Sequence, residues 1–146
     1  MWPNQGPGTL SWLQRPGYPE RMDWKLELVL VPVSDVDRAR DFYANQVGFT
    51  LDHDHRVNEN LRFVQLTPPG SGCSIAIGEG LSDAPAGSAP NLQLVVPDIQ
   101  EAHRHLKANG VDVTDISDPG WGEFVYFKDP DGNQWAVQCM AKLPAM

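Results

Sequence analysis

The chain has 146 residues, a formal net charge of −8 and a hydrophobic fraction of 41%. This length predicts one compact domain or two small modules sharing a core, since modules of about 60 residues bury too little surface alone. The acidic balance argues against a nucleic-acid partner. No run of about 18 apolar residues is present to cross a membrane, and the basic-then-apolar order of a secretory signal is missing, so we expect a cytoplasmic protein.

The first segment of the chain, residues 1–22, is rich in proline and glycine. This composition cannot maintain a helix or a central strand, so we expect an N-terminal arm ahead of a single domain spanning residues 23–140. Trp2 and Trp12 are unusual in a tail. The arm is therefore either loose or laid across an apolar surface. Residues 141–146 are predicted to form a short C-terminal tail.

The predicted domain contains two faint copies of one pattern, about 63 residues apart. In module one, residues 24–78, an apolar strand ends at Asp35 and opens a helix. In module two, residues 91–140, an equivalent strand ends at Asp98 and opens another helix. Each copy continues with three predicted strands, and residues 79–90 form a linker. Repetition at a fixed offset indicates one supersecondary unit used twice around a shared core.

The helices are predicted from the spacing of apolar residues and from the glycines that follow them. Val36, Ala39 and Phe42 lie on one face of the first helix, and the second helix repeats this arrangement. His103 and His105 are about 200 degrees apart on the second helix, so they cannot bind one ion together. We expect both histidines to be solvated.

The two cysteines, Cys73 and Cys139, each lie beside a predicted strand. This placement favours reduced, partly buried thiols over a structural disulfide. Neither cysteine lies in a pattern that activates a thiol, and the sequence has no Gly-x-Ser-x-Gly motif or phosphate-binding glycine loop. The sequence therefore contains no recognisable motif for covalent catalysis by a nucleophile.

Two separated motifs resemble the vicinal oxygen chelate superfamily. They are Asp-Val-Asp-Arg-Ala-Arg-Asp-Phe-Tyr at residues 35–43 with Gly48 beyond it, and Phe-Lys-Asp-Pro-Asp-Gly-Asn at residues 127–133. That superfamily includes glyoxalase I, extradiol dioxygenases, fosfomycin-resistance enzymes and bleomycin-binding proteins. The resemblance implies an α+β fold in which two βαβββ modules form a curved mixed sheet around a cavity, with the helices outside. It also implies that two chains commonly pair as a homodimer.

The resemblance also implies where a metal ion would bind. Metal enzymes of the superfamily use His, Glu or Gln side chains from the first and last strands of each module. The corresponding residues here are Leu28, Ala76, Asn91 and Ala136. Leucine and alanine have no donor atom, and asparagine is a poor ligand for the divalent metals of such sites. We therefore expect a metal-independent protein without a cofactor; a divalent ion held by a non-standard set of residues is the alternative.

Residues in phase with those four positions are predicted to line the concave side of the sheet, which we call the cup face. They form an apolar wall and an amide-rich wall with small side chains that leave room for a ligand. The predicted ligand-binding residues are Leu28, Phe63, Ala76, Asn91, Gln93, Trp121, Ala136 and Gln138. Trp121 stands between two glycines, and it is either a lid that stacks on a flat ligand or a plug packed on the sheet.

A pair of histidines, His53 and His55, shares one face of a predicted strand, with the neighbouring aspartates on the reverse side. In the functional interpretation both histidines face the cup, and one of them is either a polar anchor for a ligand or a general base. Tyr126 or Glu123 would be the partner of such a base in acid–base catalysis. In the alternative interpretation this segment is a polar, exposed strand near a sheet edge. The spacing alone does not fix the face on which Phe63 or Tyr126 lies.

Two functions follow from these patterns and from the resemblance. The first is a metal-independent protein that sequesters a small aromatic or amphipathic compound, similar to bleomycin-resistance proteins, with an acidic surface that favours a cationic ligand. The alternative is an enzyme of the superfamily, either a glyoxalase-like lyase or isomerase or a dioxygenase. Such an enzyme would use His53 or His55, or a non-standard metal site.

Overall fold

The computed structural model describes residues 23–140. The expected N-terminal arm and C-terminal tail lie outside the described residues. The elements are β1 Leu28–Leu30, α1 Val36–Asp41, a π-helical turn Phe42–Val47, β2 Thr50–Asn58, β3 Leu61–Thr67, β4 Ser74–Glu79, β5 Leu92–Val95, α2 Ile99–Ala108, β6 Gly122–Lys128 and β7 Gln134–Met140. The predicted mixed α+β fold is confirmed. Neither described helix is long and apolar enough to cross a membrane.

The strands form one sheet in each module. Module one has the strand order β1-β4-β3-β2, and module two has the order β5-β7-β6. In both modules the first strand pairs in parallel with the last, and the remaining pairs are antiparallel. The duplicated sequence pattern therefore corresponds to a duplicated strand arrangement.

Module two lacks one of its three predicted strands after the helix. Residues 111–117 run beside β6, but the regular ladder is interrupted at Thr114. The Thr114 N–H donates to the carbonyl of Tyr126 at 3.0 Å, whereas the Tyr126 N–H donates to the Thr114 hydroxyl at 2.9 Å. Because a side chain replaces the backbone acceptor, the strand pattern does not propagate.

Both helices begin at the aspartates that the sequence indicates. The Asp35 carboxylate accepts from the Arg38 N–H at 3.0 Å, and Asp98 accepts from the first-turn N–H groups of α2. The helix of module one ends in a π-helical turn at Gly48, whose φ of +98° is left-handed. The predicted start at Asp35 and the predicted end at Gly48 are both confirmed. A glycine ends the helix here because it adopts a left-handed conformation with little strain.

One hydrophobic core is shared by the two modules. It contains Val64 and Ile77 from the sheet of module one, Val125 and Val137 from that of module two, and residues of both helices. The helix-facing sides of both sheets therefore meet inside the chain. Their opposite sides, the two cup faces, point outward from this core.

Four buried residues join the two modules, and we call them the module clamp: Tyr43, Asp129, Asn133 and Trp135. The Tyr43 hydroxyl donates to the Asp129 carboxylate at 2.7 Å, and Asn133 donates to the same oxygen at 2.7 Å. The Trp135 indole N–H donates to the Tyr43 oxygen at 3.0 Å. Burial, together with the nearby Asp129 charge, raises the pKa of Tyr43 far above its usual value, so the hydroxyl remains a donor. The motif at residues 127–133 thus connects the modules.

An ion-pair network connects the outer strand β2 to α1. Asp54 accepts from Arg62 at 2.9 and 3.0 Å and from Arg40 at 2.6 Å. The hydrogen bonds from Arg62, followed by that from Arg40, lower the pKa of Asp54 from 3.8 to about 2. The charged carboxylate therefore stabilises the fold above pH 3.8, and this contribution is lost as the pH falls through about 2.

We predict that Asp54→Asn lowers the free energy of unfolding by about 1 kcal/mol at pH 7, since the network is partly exposed to solvent. The difference from the wild type should shrink between pH 4 and pH 2, where the wild-type carboxylate becomes protonated. Urea unfolding at several pH values measures it. Asp83→Asn, at an exposed loop position, is the control. If Asp54→Asn lowered the free energy of unfolding by the same amount at pH 2 and at pH 7, the stabilising role of the Asp54 charge would be contradicted.

Candidate ligand-binding site

A cavity of about 680 Å³ lies on the cup face of module two. Strands β5, β6 and β7 and the segment 111–117 form it, and every described residue that lines it belongs to module two. This volume lies within the range of sites for drug-sized ligands. It is therefore a candidate binding site within the described residues.

The floor of the cavity is a flat aromatic surface. Phe124 and Tyr126 stack with ring centroids 6.0 Å apart and ring planes inclined by 6°. The Tyr126 side chain is 45% exposed, and Tyr126 lies beside Ala136 in the strand register, which places both on the cup face. The small Ala136 side chain leaves the Tyr126 ring open to a planar ligand.

Neutral amides form one side of the same cavity. Asn91 and Gln93 line it, and Gln93 lies beside Ala136 in the register. The Gln93 amide N–H donates to the side-chain carbonyl of Gln138, which is buried and does not itself line the cavity. Such amides fix the orientation of a ligand by hydrogen bonds, but they do not transfer protons near neutral pH.

Three further predicted ligand-binding residues lie on the cup face of module one. Leu28 is paired with Ser74 in the register, Ala76 lies beside β1 and β3, and Phe63 is paired with Gly78. None of these residues lines the module-two cavity. A single chain therefore divides the predicted binding residues between two separate faces.

The histidine pair lies on the same face as these module-one residues. His53 is opposite Gln65 and His55 is opposite Phe63 on β3, so both are on the cup face. Both are exposed on an outer strand of the sheet. The structure thus combines the two sequence interpretations, a cup-facing pair and a polar edge strand.

The aspartates beside these histidines differ from each other. Asp54 points to the reverse side, as predicted, and binds the arginines of the network. Asp52 was predicted on the reverse side as well, and this is wrong. The register shifts between Leu51 and His53, and Asp52 accepts a hydrogen bond from Thr67. A bulge adds one residue and so reverses the alternation of faces.

The four proposed catalytic residues are not brought together within one chain. His53 and His55 lie on module one, whereas Tyr126 lines the module-two cavity. Glu123 is three residues before Tyr126 on β6 and therefore lies on the opposite face of that strand. The geometry of one chain provides no acid–base pair from this set.

Trp121 is 66% exposed, which is inconsistent with a plug packed on the sheet of its own chain. Gly120 before it has a left-handed φ of +117°. Gly122 after it is the first residue of β6, where an added Cβ would lie 2.8 Å from the Cys139 carbonyl oxygen. Close packing therefore makes Gly122 part of the sheet, and the interpretation of Trp121 as a lid stays a prediction.

The residues at the four metal positions do not fit a divalent ion. Leu28, Ala76 and Ala136 supply no donor atom, and Asn91 supplies only a neutral amide. Within residues 23–140, no group of three or more His, Cys, Asp or Glu side chains is arranged to hold a metal.

The thiols offer little reactivity. The two cysteines are free, and desolvation, with a smaller effect of the Glu27 charge, raises the pKa of Cys73. The Cys139 thiol donates to the carbonyl of Pro97 at 3.4 Å. A protonated, half-buried thiol is a poor nucleophile.

Sequence reasoning missed several cavity residues, including Phe124, Thr114, Asp112 and Lys128. The repeat contained the signal for Phe124, because it is the counterpart of Phe63 in the duplicated pattern. Thr114, Asp112 and Lys128 gave no comparable signal, because charged and hydroxyl residues are ordinary on exposed strands.

The profile of the Glyoxalase/Bleomycin resistance protein/Dioxygenase superfamily matches residues 25–137. The chain belongs to this superfamily. The resemblance drawn from the two sequence motifs is therefore confirmed.

Several solved structures and curated proteins are similar to this superfamily member. TnmS3, an antibiotic binding protein from Streptomyces sp. CB03234, has a TM-score of 0.75 and 31% identity, covering 83% of this chain and 99% of TnmS3. A glyoxalase/bleomycin resistance protein from the same strain has a TM-score of 0.69 and 33% identity, covering 78% of this chain and 99% of its own. The uncharacterized protein YetH of Bacillus subtilis (strain 168) is 28% identical over 114 residues, which are 75% of this chain and 93% of YetH.

Proposed function

We propose that this protein binds a small aromatic or amphipathic molecule without a metal ion and sequesters it unchanged. The observation that carries the proposal is the 680 Å³ cavity with a stacked Phe124–Tyr126 floor beside the small Ala136. A flat, partly exposed aromatic floor favours planar ligands. The similarity to the antibiotic-binding TnmS3 supports the same class of function.

Three polar groups around the cavity favour binding over catalysis. Asn91 and Gln93 are neutral amides, and the Asp129 carboxylate at the cavity wall is already engaged by Tyr43 and Asn133. These three groups orient and enclose a ligand, but none of the three is free to act as a general base. The net charge of −8 attracts a cationic ligand at long range. As part of this proposal, the protein acts in the cytoplasm.

We also propose that the protein is a homodimer. Large apolar side chains are exposed on both cup faces: Leu26 and Leu30 on module one, and Val95, Tyr126 and Met140 on module two. Exposed apolar patches of this kind mark interaction surfaces. If the module-one face of each chain covers the module-two face of its partner, a two-fold axis generates two closed cavities.

Such pairing explains why the predicted binding residues are divided between two faces. The leucine-rich face of one chain would form the wall opposite Tyr126 and Gln93 of the other chain. Leu28, Phe63 and Ala76 would then line the same cavity as Asn91, Gln93 and Ala136. The apolar wall and the amide-rich wall of the sequence prediction would be united in one site.

Titration with planar fluorophores tests the proposed function. We predict that ethidium, a planar cation, binds more tightly than the anion pyrene-1-sulfonate, because the protein is acidic. Tyr126→Leu should weaken ethidium binding about tenfold, since it removes the stacking surface. Fluorescence titration measures both affinities, and Leu51→Ala, an exposed position outside the cavity, is the control.

Mass spectrometry of ethidium and bleomycin recovered after incubation should show both molecules unchanged. A chemically altered ligand would sink the sequestration proposal in favour of an enzyme. Failure of ethidium, pyrene-1-sulfonate and bleomycin alike to raise the thermal unfolding midpoint would contradict small-molecule binding.

A further inference from the structure

Two side chains of opposite charge, Asp112 and Lys128, line one end of the module-two cavity. The hydrogen bonds between Thr114 and Tyr126 align the segment 111–117 with β6 in antiparallel directions. Asp112 is two residues before Thr114, and Lys128 is two residues after Tyr126. Continued in this register, Asp112 is opposite Lys128, and both residues line the cavity.

Neither charge is neutralised by a protein partner. Among the described residues, Asp112 and Lys128 form no ion pair and no side-chain hydrogen bond, either with each other or with a third residue. This differs from Asp54 and Asp129, which both have two or more partners. The cavity thus presents one free carboxylate and one free ammonium group.

The charged end lies at a fixed distance from the aromatic floor. Tyr126 and Lys128 are two residues apart on β6, which corresponds to about 7 Å along a strand, and both lie on the cup face. Lys128 is paired with Gln134, a further polar residue of the cavity. A ring system stacked on Tyr126 would therefore need to extend about 7 Å along the strand to bring its edge to Lys128.

We propose that Asp112 and Lys128 select planar ligands whose polar edge carries a hydrogen-bond donor next to an acceptor. The donor, an O–H or N–H group, binds the Asp112 carboxylate, and the acceptor, a carbonyl oxygen, binds the Lys128 ammonium. This inference rests on the proposed function, because it requires a ring on Tyr126. Hydrogen bonds to charged groups are stronger than those between neutral groups, so the pair contributes to specificity.

The arrangement discriminates against ligands with a single charge at that edge. A cationic edge meets the Lys128 ammonium, and an anionic edge meets the Asp112 carboxylate, so each is repelled by one member of the pair. A neutral edge with a donor and an acceptor satisfies both. The net charge of the protein affects how fast a charged ligand approaches, whereas Asp112 and Lys128 determine the orientation of the ligand once it is bound.

Two naphthalene probes test this selection by isothermal titration calorimetry. One is 3-hydroxy-2-naphthamide, which carries O–H and N–H donors beside a carbonyl, and the other is 2-methoxynaphthalene, which has the same rings and no donor. We expect the naphthamide to bind the wild-type protein more tightly. Asp112→Asn and Lys128→Met should each weaken the naphthamide by about fivefold to tenfold, and each should change 2-methoxynaphthalene less than twofold.

The charge changes of the two variants provide an internal control. Asp112→Asn removes one negative charge and Lys128→Met removes one positive charge, so a general effect of net charge would shift the affinity in opposite directions. Losses with both variants therefore indicate direct contacts. Asp115→Asn and Lys107→Met make the same charge changes at exposed positions outside the cavity, and they should leave both affinities unchanged.

The outcomes separate this inference from the proposed function. If both probes bind the wild type equally, or if neither charge variant weakens the naphthamide, the selection by the pair is overturned. The proposed function then stands, provided that Tyr126→Leu weakens both probes. If neither probe binds the wild type, the selection by the pair is overturned. The proposed binding of small aromatic molecules fails with it only if ethidium, pyrene-1-sulfonate and bleomycin also leave the thermal unfolding midpoint unchanged.

Discussion

Replacement of Asp129 by alanine is expected to lower the free energy of unfolding by about 3–4 kcal/mol. The carboxylate is buried, and it accepts hydrogen bonds from Tyr43, from the Asn133 side chain and from the backbone N–H groups of Asp131 and Asn133. Its removal leaves these donors unsatisfied at the junction of the two modules. Urea unfolding at neutral pH measures the loss.

A double-mutant cycle separates the clamp from a general loss of packing. Tyr43→Phe alone should cost about 2 kcal/mol, because it removes the hydrogen bond to the Asp129 carboxylate and also the acceptor of the Trp135 indole N–H. In the Asp129→Ala background the same change should cost less by about 1 kcal/mol, because the acceptor is already missing. Asp83→Ala, on an exposed loop, is the matched control. Fully additive losses would show that Tyr43 and Asp129 do not act together.

The local parts of the fold were predictable because short stretches of sequence determine them. Asp35 and Asp98 supply carboxylates to the first helical turn, and Gly48 supplies a left-handed conformation at its end. The module clamp was not predictable in this way. Asp129 belongs to a motif that served as a signature of the superfamily, but its partner Tyr43 is 86 residues away. Only the packed core shows why both residues are needed.

The candidate site shows the same limit. Alternation along a strand assigned Gln93 and Ala136 to one face, and the register agrees. Alternation failed at Asp52, because a bulge shifts the register beside it. The alternation of side chains along single strands also cannot determine which faces of the two sheets pack against each other. The shared core separates the cup face of His53 from that of Tyr126, and this separation depends on contacts between residues far apart in sequence.

Replacement of Leu30 by aspartate is expected to convert the proposed homodimer into monomers, with at least a hundredfold weaker association. Leu30 is 40% exposed on the cup face of module one, where it lies beside Ala76 in the register. In the dimer a carboxylate at this position would be buried against an apolar surface without a partner, which is costly. Sedimentation velocity across a range of protein concentrations measures the dissociation.

The variant also tests whether the binding site needs both chains. Leu30→Asp monomers should keep the far-ultraviolet circular dichroism of the wild type, because Leu30 is outside the shared core. They should bind ethidium more weakly, because the wall opposite Tyr126 is missing. Val57→Asp introduces the same charge on exposed strand β2 at a register irregularity, and it should remain dimeric. A dimeric Leu30→Asp protein with unchanged ethidium affinity would show that the cup faces do not meet, and that the module-two cavity binds its ligand alone.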